Sequence, residues 1–254
     1  MTSNTKGWPN IPAHIETYVH PHAPSLTKDV KRIYAICRGN EAAIRKFLGA
    51  TPFEYVSDLF LIEFADYSNR TYPASPGETW GFMDCTIYVQ TKYKGRPGGY
   101  ILFEYEDQDY SIFAGREMWG YPKTYGDVSL QEDADRITGT VVKAGREIVR
   151  MECDLNSPLE SVPTLSVSPV FNLYTIPKAE GPGIFSQRVI SRDTSPGFHV
   201  KSQKFFKASI TFDSIRQHPL KDLGPIEVLG AAFQTADYDM NDEWGWAKVE
   251  ETLV

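Results

Sequence analysis

The chain of 254 residues carries 33 acidic against 26 basic side chains, a formal charge of −7, with 41% hydrophobic residues. That balance builds a globular core and excludes a general affinity for nucleic-acid backbone or anionic lipid, although one local basic pocket remains open. The three cysteines, Cys37, Cys85 and Cys153, show no CxxC or CxxH spacing, so neither a disulfide framework nor a structural zinc site is expected; they read as reduced, buried thiols.

Pro9, Pro12, Pro21 and Pro24 make residues 1–29 an extended arm, with a single domain expected over 30–254. The first eight residues have no signal-type stretch and no apolar run reaches spanning length, so the expected location is cytoplasmic. Residues 30–37 read as a strand. A helix follows: Asn40 is its N-cap, Ala43, Ile44, Phe47 and Leu48 form its apolar stripe, and Gly49 closes it. Residues 59–65 are an apolar run, and Ile87, Val89, Thr91 and Tyr93 alternate with polar neighbours. Residues 94–99 predict a hairpin connection into a strand over 100–105. A second hairpin joins 137–142 to 148–155 across residues 143–146, with Val149, Met151, Cys153 and Leu155 on one face. Further strands are expected at 171–176, 188–191, 204–212 and 227–235. Strand follows strand with few helices, so the expected fold is mainly β: an antiparallel barrel or cone with a few short helices.

The segment around Lys123 is unusual. Phe113, Met118, Trp119, Tyr121 and Pro122 crowd one lysine, while Gly115 and Gly120 permit close backbone approach. An amine nucleophile must be uncharged, and apolar walls disfavour the ammonium; lowering a lysine from its usual pKa to about 7 takes roughly 4–5 kcal/mol. Two acids accompany it as candidates. Glu63 lies inside the apolar run 59–65, on the face of Leu61 and Ala65, and Asp84 opens the strand after Gly81-Phe82-Met83. Lys31, Arg32, Arg38 and Arg116 are the cations that could hold a carboxylate. Asn69-Arg70-Thr71 matches a glycosylation sequon without secretory context, and His20-Pro21-His22 lacks a companion carboxylate for a metal. No GxGxxG, Walker, GxSxG or HExxH pattern occurs.

The run Ala114-Gly115-Arg116-Glu117 followed by Tyr121-Pro122-Lys123 resembles the Schiff-base lysine motif of the acetoacetate decarboxylase family. That family is itself the standard example of an activated lysine. The similarity extends from about residue 30 to the C-terminus through Ala43-Ile44-Arg45-Lys46, Gly81-Phe82-Met83-Asp84, Asn172-Leu173-Tyr174-Thr175-Ile176-Pro177 and His218-Pro219-Leu220-Lys221-Asp222-Leu223. The resemblance implies a β-cone that is commonly oligomeric, needing no metal or organic cofactor. It implies Lys123 as the imine-forming lysine, with Glu63 and Asp84 as its acids. Arg116, Arg32, Trp119 and Tyr121 are then expected around a small keto acid substrate. Two positions depart from the family. Thr124 stands where a second lysine follows the first, and Val30 falls at the pattern's first arginine. Imine chemistry is therefore expected, with decarboxylation of a β-keto acid first. Aldol condensation, dehydration or hydration through the same imine comes second, and a non-catalytic ligand-binding barrel third.

Overall fold

The computed structural model describes residues 24–73 and 76–254. Most of the expected arm, including His14, His20 and His22, lies outside the described residues. The first strand, β1 (Ser25–Arg38), starts inside the range expected for the arm, so residues 25–29 belong to the sheet. Their place is set by pairing with the last long strand, from Ser25 opposite Met240. α1 (Glu41–Leu48) follows, capped by the Asn40 side chain, which accepts from the Ala43 amide at 3.2 Å. Gly49 closes it in the right-handed region rather than the left-handed one.

Next come β2 (Glu54–Asp66), the short β3 (Arg70–Thr71), β4 (Met83–Tyr93) and β5 (Arg96–Glu106). The β4–β5 turn is tighter than expected. Lys94 and Gly95 alone occupy it, at φ of 50° and 76°, a primed turn whose twist suits paired strands. Ala144 and Gly145 do the same between β8 (Arg136–Lys143) and β9 (Arg146–Leu159).

Between these hairpins lie three elements that the hydrophobic pattern did not announce: α2 (Asp109–Trp119), β6 (Lys123–Tyr125) and β7 (Asp127–Glu132). α2 buries Ser111, Ile112, Ala114, Gly115 and Trp119, so small and polar residues occupy much of its inward face. An apolar stripe is therefore missing although the helix is real. The chain continues through β10 (Val170–Pro177), β11 (Ile184–Arg192), β12 (Phe198–Phe212), β13 (Glu227–Met240) and β14 (Lys248–Thr252).

All described strands join one sheet in the order β14-β11-β10-β5-β4-β2-β1-β13-β12-β9-β8-β7, with β3 on β1 and β6 on β5. Pairing is antiparallel except where β5 meets β10 and β6. The sheet is thus mixed, as the insertion of α2 between β5 and β6 requires. β7, at one edge, folds back against β2, β4 and β5, so the sheet curls around its main core. Ile33, Phe60, Ile62, Phe64, Ile87, Tyr105, Val141, Met151 and Phe171 fill that interior, and Ile44, Leu48, Leu220 and Leu223 close one end. Cys37, Cys85 and Cys153 are buried and free, as expected.

Candidate active site

Strand alternation sends every second residue of β1, β2, β4 and β5 away from that core. Directly paired residues share a face, and the register lines up two rows across the sheet. One row runs Tyr34, Glu63, Thr86, Glu104, Lys123; the other runs Arg32, Ala65, Asp84, Glu106. Residues distant in sequence therefore converge on one polar patch, and α2 folds over it.

Lys123 is 6% exposed. Its Nζ donates to Glu106 Oε1 at 2.5 Å and to Ser111 Oγ on α2 at 3.5 Å, and Glu104 Oε1 lies at 3.6 Å. The Phe82 and Tyr121 rings flank Nζ, their centroids at 5.5 and 5.8 Å. The lysine stem runs directly beneath Gly115. A Cβ at that position would stand 2.3 Å from Lys123 Cδ and 2.4 Å from Cε. Gly120 ends α2 at φ 60°, where a Cβ would meet the Leu173 carbonyl oxygen at 2.7 Å; it turns the chain into Tyr121-Pro122-Lys123.

The electrostatics correct one expectation. Burial does pull Lys123 toward the neutral amine, but Glu106 and Glu104, with Asp84, pull harder, and its pKa ends above the ordinary lysine value. The magnitudes explain this. One opposite charge at about 4 Å returns about 4 kcal/mol at an effective dielectric of about 20, as much as an apolar collar takes away. Two carboxylates lie within that distance, at 2.5 and 3.6 Å. Lys123 at rest is an ammonium in a carboxylate nest.

The acids respond in the opposite sense. Burial, then Glu63, Glu106 and Glu104, raise Asp84 well above the usual carboxylate range. Burial pushes Glu104 up to about 8 against the pull of Lys123. Asp84 Oδ1, Thr86 Oγ1, Glu104 Oε2 and Glu106 Oε2 are buried without a hydrogen-bond partner among the described residues, so the patch has acceptors to spare. Carboxylate oxygens of Asp84, Glu104 and Glu106 lie within 4.8 Å of one another, a spacing that would also suit a metal ion, but here the Lys123 ammonium supplies the positive charge.

The expected site residues are distributed unevenly. Lys123 and Asp84 meet in the cluster. Glu63 faces the same patch from β2, the strand next to that of Asp84, ion-paired with Arg32 and accepting from the Tyr88 hydroxyl at 3.0 Å. Arg32 is therefore already neutralised. Lys31 and Arg38 serve exposed ion pairs with Glu132 and with Asp58 and Glu227. Arg116 is exposed and donates to the Lys123 carbonyl oxygen at 3.0 Å, so it supports the backbone and is not one of the charges set around the ammonium. Trp119 lies under the Arg192 guanidinium, whose carbon is 3.7 Å from the ring centroid. Thr124 alternates to the other face of the sheet, where Lys143 Nζ donates to its hydroxyl at 2.8 Å. Glu104, Glu106 and Ser111 were not anticipated from the sequence.

The family model described as acetoacetate decarboxylase matches residues 10–249. This chain belongs to the acetoacetate decarboxylase family. It is 28% identical over 196 residues to an acetoacetate decarboxylase of Burkholderia cenocepacia, covering 73% of this chain and 74% of that one. An acetoacetate decarboxylase structure from Legionella pneumophila superposes with a TM-score of 0.77 at 18% identity, over 97% of this chain and 99% of the other. The enduracididine biosynthesis enzyme MppR, in complex with pyruvate, gives 0.72 at 17% identity over 89% of each chain. The fold is thus that of the acetoacetate decarboxylase family, whose enzymes are lyases. No helix among the described residues is long and apolar enough to cross a membrane.

Proposed function

We propose that this family member is a lysine-imine lyase that decarboxylates a short β-keto acid at Lys123. The observation that carries the reading is the buried Nζ hydrogen-bonded to Glu106 at 2.5 Å, with Glu104 and Asp84 around it. The ammonium is not itself nucleophilic. Passing its proton to Glu106 frees the nitrogen lone pair at the moment a ketone arrives, and the new N–C bond gives a carbinolamine. Asp84 or Glu104, each holding its proton well above the usual carboxylate range, protonates the departing hydroxyl; water leaves and an iminium forms. The bond to the β-carboxylate then breaks, carbon dioxide departs, and the electron pair moves into an enamine. Protonation at carbon regenerates the iminium, which water hydrolyses to ketone and free lysine.

A second reading uses the same iminium for aldol condensation and dehydration. Two observations favour it: Thr124 replaces the family's second lysine, and MppR, of like fold, was solved with the condensation product of pyruvate and imidazole 4-carboxaldehyde. Carbon dioxide release from acetoacetate against condensation of pyruvate with an aldehyde separates the two. Both require the imine. Borohydride reduction in the presence of acetoacetate, followed by peptide mass spectrometry, should place an adduct on Lys123, and Lys123→Ala should abolish it. A protein that stays unmodified with acetoacetate and with pyruvate would instead be a ligand-binding barrel.

A further inference from the structure

A keto acid approaching Lys123 carries a negative charge toward the Glu106 carboxylate. The lysine's own charge is already met by Glu106. A further cation is needed to hold the substrate's carboxylate, and the arginines can be compared one by one. Arg32 is paired with Glu63, and Arg116 is exposed and spent on a carbonyl. Arg192 is buried, but its three nitrogens are bonded to the Gly245 carbonyl, the Tyr121 hydroxyl and the Met240 sulfur.

Arg70 is different. It is 7% exposed, has no carboxylate within ion-pair distance among the described residues, and makes one polar side-chain contact there, from Nε to Thr27 Oγ1 at 3.4 Å. Phe82, Tyr67 and Tyr238 surround the guanidinium, with its carbon 4.6, 5.4 and 5.9 Å from their centroids. Aromatic faces offset part of the cost of burying a cation but do not replace its hydrogen bonds, so among the described residues the guanidinium keeps N–H donors that an anion could take.

Its position ties it to the lysine. The Phe82 ring that touches Arg70 is also one of the two rings flanking Lys123 Nζ. The segment carrying Arg70 is held in place. Tyr67 N donates to the Phe82 carbonyl at 2.9 Å, Trp80 N donates to the Arg70 carbonyl at 2.9 Å, and the Tyr110 hydroxyl donates to the Trp80 carbonyl. Tyr110 precedes Ser111, which touches Nζ. Gly81 passes so close to Ser68 that a Cβ would stand 2.2 Å from its backbone.

We propose that Arg70 receives the substrate's carboxylate, by the paired N–H donors of its guanidinium, and so selects ionised keto acids over neutral ketones. This rests on the lysine-imine reading above. The test compares reductive trapping of acetoacetate and of acetone on Lys123 in the unsubstituted protein, Arg70→Gln and Arg70→Lys. Loss of the guanidinium should lower the preference for acetoacetate about ten- to a hundred-fold, and lysine should restore part of it. Adducts with both ketones and an unchanged preference in Arg70→Gln would overturn the role of Arg70 alone. No adduct with either ketone in the unsubstituted protein would overturn the imine reading instead. Should Arg70→Gln not fold, propionate is titrated against acetone trapping. Competition that weakens in Arg70→Lys supports the subsite, and indifference to propionate overturns it.

Discussion

Gly115 sets how far Lys123 can be moved. Its absent side chain is the space through which the lysine stem runs, and the atoms that a methyl group would strike are the flexible Cδ and Cε. Gly115→Ala should therefore fold with little loss of stability, because the lysine can swing aside and alanine suits a helix better than glycine. The displaced nitrogen should lose its contact with Glu106, and a misplacement of about 1 Å can cost about a hundred-fold in rate. Trapping kinetics beside a urea unfolding curve check this; an intact trapping rate would show that the stem has another route. Lys123, Asp84 and Glu63 were legible in the sequence because each stands out against apolar neighbours. Arg70 was not, because nothing in its local sequence says that no acid among the described residues pairs with it.

At the scale of elements, a β-bulge hid the two acids nearest the lysine. Ile101 pairs with Tyr88, but Phe103 pairs with Ile87, so Leu102 is an extra residue in β5. Strict alternation from Tyr100, which packs on the main core, would put Glu104 and Glu106 on that same side. The bulge reverses the phase and delivers both to Lys123. The helix cap, by contrast, followed from local chemistry alone. Asn40→Ala removes the acceptor for the Ala43 amide and should cost about 1 kcal/mol, read from urea unfolding with unchanged slope. A cost near zero would mean that the Asn40 main-chain N–H, which donates to the Leu223 carbonyl at 2.8 Å, holds the helix start without the side chain. α2 was missed for the reason already visible in its inward face: Ser111 and Gly115 serve the lysine rather than an apolar stripe.

Over the whole molecule, the buried acids set a pH dependence. Asp84 and Glu104 hold protons in the folded state at pH values where the unfolded chain has released them. The folded state then binds more protons, so stability falls as pH rises from the unfolded carboxylate range of about 4.5 toward about 8. Lys123, raised in the folded state, contributes stability that is fully present below its unfolded value and is lost only on the alkaline side, outside that window. Urea unfolding at about pH 5.5 and pH 8 should show the decline, and Glu104→Gln, a neutral isostere, should flatten it. A curve equally steep in the variant would remove Glu104 as its source. The β-cone and its family were legible from strand spacing and the lysine motif; the mixed pairing was not, because a three-residue strand such as β6 carries too few positions to show a period. The thiols bear on how such a protein could be labelled. Cys37, Cys85 and Cys153 lie in the interior with pKa values raised by burial, so few thiolates are present to compete for an electrophile. A thiol-directed fluorescent reagent should thus leave the native chain dark and label it only on unfolding, so that it reports opening of the core without any engineered site.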